Sequence, residues 1–281
     1  MARSTTPLVA IAVSLAAGLP VAWTAGYSLV YSLGGIGLLS DGWTLRHWRA
    51  ALATDAVRNS IALSFIVAAT ATFASTVVAL VVSLVIAPWR RQRLIRASLS
   101  VLIATPATVA GPLVQQLIGP SGWLSRVAAA IGTTAGPGDF PVLVNDRWSI
   151  GLTLALCLTS TPMLCLFLLN TWSAARIDRY CTMAESLGAS RWQARWRVAA
   201  PMLMVRARPL IALTFLWSLG AYEIPLLLGR QSPQLFSVLV ARHFGQYDLA
   251  LRPQAFVLAT IYLTLVAVGL GVYVSMRRRH G

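Results

Sequence analysis

Charge is almost absent from six long stretches of this sequence. Residues 4–40, 59–89, 97–125, 148–175 and 253–276 carry none, and 209–229 is broken only by Glu223. A hydrocarbon layer about 30 Å thick is crossed by roughly 20 apolar residues in a helix. Each stretch meets that length, so the chain is expected to be an all-α membrane protein with about six transmembrane helices. Composition agrees: hydrophobic residues make up 57% and charged ones 11%, too little charge to clothe a water-facing surface.

The formal charge of +15 does not point to nucleic acid here, because the arginines are confined between the apolar stretches. With the N-terminus placed in the cytoplasm, 15 of the 23 basic residues fall on cytoplasmic segments. These are Arg3, Arg90, Arg91, Arg93, Arg96, Arg176, Arg179, Arg191, Arg195, Arg197, Arg206, Arg208 and Arg277–Arg279, against only Asp178 and Glu185. This bias predicts that both termini are cytoplasmic. Cys157, Cys165 and Cys181 have no metal-ligand spacing and read as small buried hydrophobes. The N-terminal apolar stretch outruns a signal-peptide core and is expected to be the first span.

The expected spans are 8–33, 60–87, 97–118, 148–170, 208–228 and 253–276. Span 2 is dense in Ala, Ser, Thr and Val, which lets helices approach closely in lipid. A turn is expected at Ser40-Asp41-Gly42, then an amphipathic interfacial run, Trp43–Ala53. Pro106 and Pro112 lie within span 3, where they free backbone carbonyls; either a water-filled pathway or a structural kink accounts for that. Residues 119–147 are expected outside, with a short helix near Trp123–Ile131. No phosphate-cradling glycine loop of the Gly-x-x-x-x-Gly-Lys type occurs, so any ATP chemistry must lie on another chain.

The densest signal is the stretch between spans 4 and 5, residues 171–207. Asp178 is a candidate N-cap. Tyr180, Met183, Ala184 and Leu187 recur at helical spacing as one apolar face. Gly188 can take the left-handed conformation that ends a helix, and Ser190 with Gln193 forms a capping-box pattern opening a second one. In that second helix Trp192 and Trp196 share a face, and Pro201 limits its continuation. Two short helices with a glycine hinge suit either a partner's groove or a membrane surface.

The spacing resembles the coupling-loop signature of binding-protein-dependent importer permeases: Glu-Ala-Ala, three residues, Gly, nine residues, Ile-x-Leu-Pro. Thr182 and Met183 stand at the Glu-Ala positions, Ala184, Gly188 and Pro201 match in register, and Val198 and Ala200 replace Ile and Leu. Glu185 lies three residues beyond the missing acid. The resemblance implies the type I ABC importer permease (MetI-like) fold over roughly 58–275, and a docking loop comprising Tyr180, Thr182, Met183, Ala184, Glu185, Leu187, Gly188, Ala189, Ser190, Arg191 and Pro201. It divides the chain into an N-terminal span with external segment (1–57), a permease core (58–276) and a basic cytoplasmic tail (277–281). It also implies an ATPase dimer carrying ATP and Mg, a second permease subunit, an extracytoplasmic solute-binding protein, and a bacterial inner membrane around the complex. The runs Ser32–Ser40 with Trp43–Trp48, and Gly220–Gly229 with Leu251–Ala255, resemble the subgroup importing polyamines, thiamine or ferric iron.

Glu223 is expected near the external end of span 5, beside Tyr222 and Pro225. An ionisable group inside a span is a functional candidate, so Glu223, Tyr222, Pro225, Pro106 and Pro112 form the pathway or gate set. The bland alternative is a structural acid paired with Arg230. No cofactor is expected in this chain. A secondary transporter would show paired inverted halves, and a membrane enzyme would show paired carboxylates or metal-spaced histidines; neither pattern is present.

Overall fold

The computed structural model describes residues 5–37, 42–88, 92–133 and 138–280, with the side chains of 5–14, 17, 92, 250, 272, 274 and 276–280 outside the described set. Arg3, Arg90, Arg91, the expected turn at Ser40-Asp41 and the side chains of Arg277–Arg279 therefore lie outside it. Every regular element among the described residues is helical. The elements are α1 (Thr5–Ser32), α2 (Arg46–Ala53), α3 (Asp55–Ile86), α4 (Gln92–Ile103), α5 (Ala107–Ile118), α6 (Trp123–Ala130) and α7 (Ile150–Ala174). They continue with α8 (Ile177–Ser186), α9 (Arg191–Ala194), a π-helical turn (Arg195–Ala199), α10 (Ala200–Gly220), α11 (Glu223–Leu228), α12 (Phe236–Phe244), a 3₁₀ turn and α13 (Arg252–His280).

Four helices among the described residues are long and apolar enough to cross a membrane: Asp55–Ile86, Ile150–Ala174, Arg191–Gly220 and Arg252–Gly271. A bent pair over 93–103 and 107–130 makes a fifth if it counts as one span. The first expected span falls in α1, whose 28 residues extend about 42 Å.

Two corrections to the sequence reading stand out. Expected span 3 is not one helix, because the chain bends by 100° between α4 and α5. Thr105 precedes Pro106 and is disfavoured from helical geometry, and Pro106 itself sits extended (φ −62°, ψ 147°) as the N-cap of α5. Pro112 lies inside α5 without breaking it. The second correction concerns Pro201, which does not stop the helix opened at Ser190; Arg191–Gly220 runs on for 30 residues. Ahead of the proline the backbone widens into the π turn, and Ala200 N–H donates to Arg195 O, five residues back. The wider turn carries the carbonyl of residue 197 clear of the ring that would otherwise strike it. It also keeps the buried stripe in line. Ala194, Ala199, Leu203, Ala207 and Leu210 are buried, and the step from 194 to 199 is one residue longer than an α-helical step, as the extra residue of the π turn requires.

The chain forms two compact units, residues 1–60 with 236–281, and residues 61–235. In the first, Phe256 of α13 meets Tyr31 of α1 at a ring-centroid distance of 4.1 Å and Phe244 of α12 at 5.0 Å. Trp48 Nε1 of α2 donates to Ser32 Oγ (3.1 Å), which fixes one tryptophan of the expected interfacial run against protein while Trp43 stays exposed. In the second unit α3 packs on α7 through small side chains. Ala68, Ala71, Ser75, Ala79 and Ser83 are all fully buried at three- and four-residue spacing, as close helix approach requires. Ser75 and Ser160 share a 3.2 Å hydrogen bond, and Ser83 Oγ lies 3.5 Å from Cys165 Sγ.

Candidate functional site

The site is built at the corner where α7 ends. Ala175 N–H closes α7 onto Ser173 and Thr171 carbonyls, and Arg176 takes the left-handed region (φ 51°) to turn the chain into α8. Arg176, not Asp178, is thus the N-cap, and it supplies no side-chain cap. Asp178 sits within the first turn, where a carboxylate still complements the helix dipole.

α8 has two dissimilar faces. Ile177 (0% exposed) and Cys181 (7%) enter a buried cluster with Trp172, Ala194, Leu168 and Leu203, and Ala184 packs against it. Cys181 Sγ lies 3.9 Å from Ala194 O. Burial pushes the Cys181 thiol up; the Glu185 and Asp178 carboxylates add to this and Arg195 opposes it. The thiol is therefore a packing group at neutral pH. On the outer side Tyr180 (50% exposed), Met183 (63%) and Leu187 (88%) have little cover. The sequence's apolar face is thus split: Ala184 turns inward, and the other three form an open apolar edge.

The end of α8 is a Schellman motif. Gly188 N–H donates to Glu185 O (3.0 Å) and Ala189 N–H to Ala184 O (3.0 Å), with Gly188 at φ +93°. Two residues on, the capping box is complete. Gln193 N–H donates to Ser190 Oγ (3.2 Å), and Ser190 N–H donates to Gln193 Oε1 (3.0 Å). Trp192 and Trp196 meet edge to face at 5.5 Å.

Between α8, α9 and the end of α7 lies a cleft of about 740 Å³ lined by Arg176, Arg179, Arg191, Arg195, Asp178 and Glu185, with Thr182 on its wall. Glu185 therefore points to this basic cleft, on a different side of α8 from the Tyr180–Leu187 edge. Pro201 lies exposed at the start of α10.

One contact escaped the sequence reading, which counted Arg96 only as a charge. From α4 its guanidinium donates to Ser173 Oγ (2.8 Å), Asn170 Oδ1 (3.1 Å) and Leu169 O (3.2 Å) on α7. The latch ends one turn before α8 begins. Its only sequence signal is an arginine at the edge of an apolar stretch.

The pathway candidates gather on α5 and α11, which pack together where a Cβ on Gly111 would meet Leu227 Cδ1 at 3.0 Å. Pro106 and Pro112 belong to the first helix; Tyr222 is the N-cap of the second, Glu223 its first residue, and Pro225 is buried within it. Glu223 is not embedded in span 5, because that helix ends at Gly220 and the carboxylate is exposed in the chain. Nor is it paired with Arg230, whose guanidinium donates to Arg147 O (2.9 Å) and Pro233 O (3.1 Å). Nearby, Asp146 accepts from Trp148 N–H (3.0 Å) and Ile150 N–H (2.9 Å), satisfying the free amides that open α7.

Residues 75–280, most of the chain and all of this site, match the family model described as binding-protein-dependent transport system inner membrane component. The chain belongs to this family. Among its relatives, the inner membrane ABC transporter permease protein YnjC of Escherichia coli (strain K12) is 23% identical over 233 residues, covering 82% of this chain and 43% of that one. The probable sulfate transport system permease protein cysT of Chlorokybus atmophyticus is 24% identical over 180 residues, covering 62% and 57%. The chain thus spans about half the length of these curated relatives. The importer permease fold is shared with a bacterial ABC transporter involved in the import of the acidic polysaccharide alginate (TM-score 0.69, 16% identity, 98% of this chain and 94% of that one). It is shared too with the alginate transporter in complex with its pentasaccharide-bound periplasmic protein (TM-score 0.64, 15% identity, 95% and 96%).

Proposed function

We propose that the chain is the membrane-spanning permease subunit of an ATP-binding-cassette importer, and that α8 with its flanking turns couples it to a separate ATPase dimer. The observation that carries this is the construction of α8. Ile177 and Cys181 anchor it in the core, while Tyr180, Met183 and Leu187 stand open on its far side. A helix held rigidly by one face and bare on the other is built to enter a partner's groove. A helix lying on lipid would instead place its arginines beside its apolar edge; here they line the cleft on another side.

In this reading ATP and Mg reside on the partner, and this chain transmits. The partner's closure displaces α8; the fixed contacts of Ile177, Cys181 and Arg96 pass that displacement to α7 and α4. The shift requires a difference in contact energy between inward- and outward-open states. A second permease subunit, identical or homologous, completes the pathway, and an extracytoplasmic binding protein delivers solute, as the periplasmic protein in the alginate complex is consistent with. Residues 58–276 form the permease core, 1–57 and 277–281 flank it, both termini are cytoplasmic by the arginine bias, and the membrane is the bacterial inner membrane. The solute is small and polar. The polyamine, thiamine and ferric-iron subgroup rests on two sequence passages alone, while the names of the relatives include sulfate and an acidic polysaccharide.

The test is Leu187→Asp. Leu187 is 88% exposed, so the substitution leaves folding and membrane insertion intact, and copurification of the cognate ATPase is expected to fall at least tenfold. Undiminished copurification refutes docking through this edge, and failure of the wild-type chain to bring down an ATPase favours a secondary transporter.

A further inference from the structure

α5 has one face against protein and one without cover. Ala110, Gly111, Val114 and Ile118 are buried, whereas Leu113, Gln115 and Gln116 are exposed in the chain. Among the described residues neither glutamine amide has a hydrogen-bond partner within the chain. An amide set in hydrocarbon without a partner costs several kcal/mol, so this face of a broken span is not a lipid face. The chain then passes through a four-residue turn, 119–122, into α6. A Cβ on Gly119 would lie 2.5 Å from the backbone carbonyl oxygen of Gln115, and one on Gly122 2.8 Å from that of Gln116, so the turn into α6 is tight enough to require glycine at both positions. Along this face runs an open cleft of about 740 Å³ lined by Gln115, Gln116, Ser121, Trp123 and Arg126 together with the apolar Pro112, Leu113 and Leu117.

Among the described residues no acid lines this cleft, and Arg126 is the one charged residue on its wall. The guanidinium contributes five N–H donors in a fixed fork, and the amides, hydroxyl and indole add more. Donors in excess around one cation match an oxyanion, which the guanidinium can hold with two parallel hydrogen bonds. Glu223 is not among the residues that line the cleft. We propose that the α5–α6 cleft is a solute subsite that takes a small oxyanion-bearing solute, such as a carboxylate, sulfate or phosphate ester, with Arg126 on the oxyanion and Gln115 and Gln116 on its remaining acceptors. The proposal rests on the importer reading above and assigns the solute's chemical class.

The experiment uses the permease–ATPase complex in phosphatidylcholine nanodiscs, titrated calorimetrically with sodium sulfate, sodium phosphate and sodium glucuronate at constant ionic strength. At least one probe is expected to bind saturably. Arg126→Gln should weaken it tenfold or more, Arg126→Lys less, and Gln115→Leu with Gln116→Leu severalfold. Failure of all three probes to bind, or binding unchanged in Arg126→Gln, overturns the proposal. In phosphatidylglycerol nanodiscs the affinity should hold; if anionic lipid abolishes it, the cleft is a headgroup site and the proposal fails. Loss of permease pairing in the double Leu variant, seen by native mass spectrometry, would make the glutamines an interface and overturn it too. If the ATPase does not associate with the wild-type chain, the importer reading falls on its own, and the same titration of the chain alone still decides whether Arg126 holds an oxyanion.

Discussion

Replacing Gly188 tests the coupling reading most sharply, because the structure isolates a single cause. Its φ is +93°, a region where a side chain costs roughly 1–2 kcal/mol. No heavy atom lies within 4 Å of a Cβ built there, so the cost is one of backbone alone, not of collision. At about 1.4 kcal/mol per factor of ten, it depopulates the native turn roughly five- to thirtyfold relative to competing geometries. That is far too little to unfold spans held by the α3–α7 packing. It is enough to release the two Schellman hydrogen bonds and let α8 swing relative to the Ser190 cap. The expected order of damage is Gly188→Asn, then Gly188→Ala, then Gly188→Val, because Asn tolerates the left-handed region and the β-branched side chain tolerates it least. Membrane insertion should be unchanged in all three. ATPase copurification and solute-stimulated hydrolysis in lipid, with the binding protein present, should fall in that order and vanish in Val. Full stimulation in the Val variant would refute the role of this turn; equal loss in Asn and Val would show that something other than backbone strain is at work.

Three further outcomes follow from contacts already described. Arg96→Met removes a charged donor from three acceptors on α7 and should destabilise the chain by roughly 1.5–3 kcal/mol, read as a lowered unfolding midpoint in nanodiscs; an unchanged midpoint would show the latch to be idle. Glu223→Gln removes charge from the first turn of a short helix, costing less than about 1 kcal/mol, and should alter uptake while leaving assembly intact; wild-type uptake would return it to a structural role. Cys181, with its folded value raised above the ordinary 9.0, contributes stability that is present below that value and lost as pH climbs through the folded one. Alkylation by a membrane-permeant maleimide should therefore stay slow at pH 7–8 and accelerate only above the ordinary range, and rapid labelling at pH 7 would contradict its burial.

Much of this was legible in the sequence wherever a signal is local. The capping box at Ser190 and Gln193, the helix end at Gly188 and the short helix beginning at Trp123 depend on residues within one or two turns of each other. Apolar runs likewise located the four helices long enough to cross a membrane, since hydrocarbon thickness acts on each run separately. What stayed hidden was decided elsewhere. Hydropathy treats 97–118 as one run, yet the extended geometry at Pro106 converts it into two helices at a right angle. Pro201 looked like a terminus because proline usually is one; a π turn needs no sequence marker, and the buried stripe from Ala194 to Leu210 is what selects it. Arg96 and Arg126 differ from their neighbours only through partners and clefts that form in three dimensions.

The unbroken helix from Ser190's cap to Gly220 has a mechanical consequence. Its 30 residues extend about 45 Å from the end nearest α8 to the end nearest α11, with the π turn and Pro209 as the points where it can bend. A rotation of roughly 5° at the capped end carries the far end about 4 Å, comparable to the width of a water molecule or a small ion. The π turn lies close to the capped end, so any pliancy there spends little of the lever's reach. A tilt of a few degrees is large enough to open or shut a narrow passage beside it.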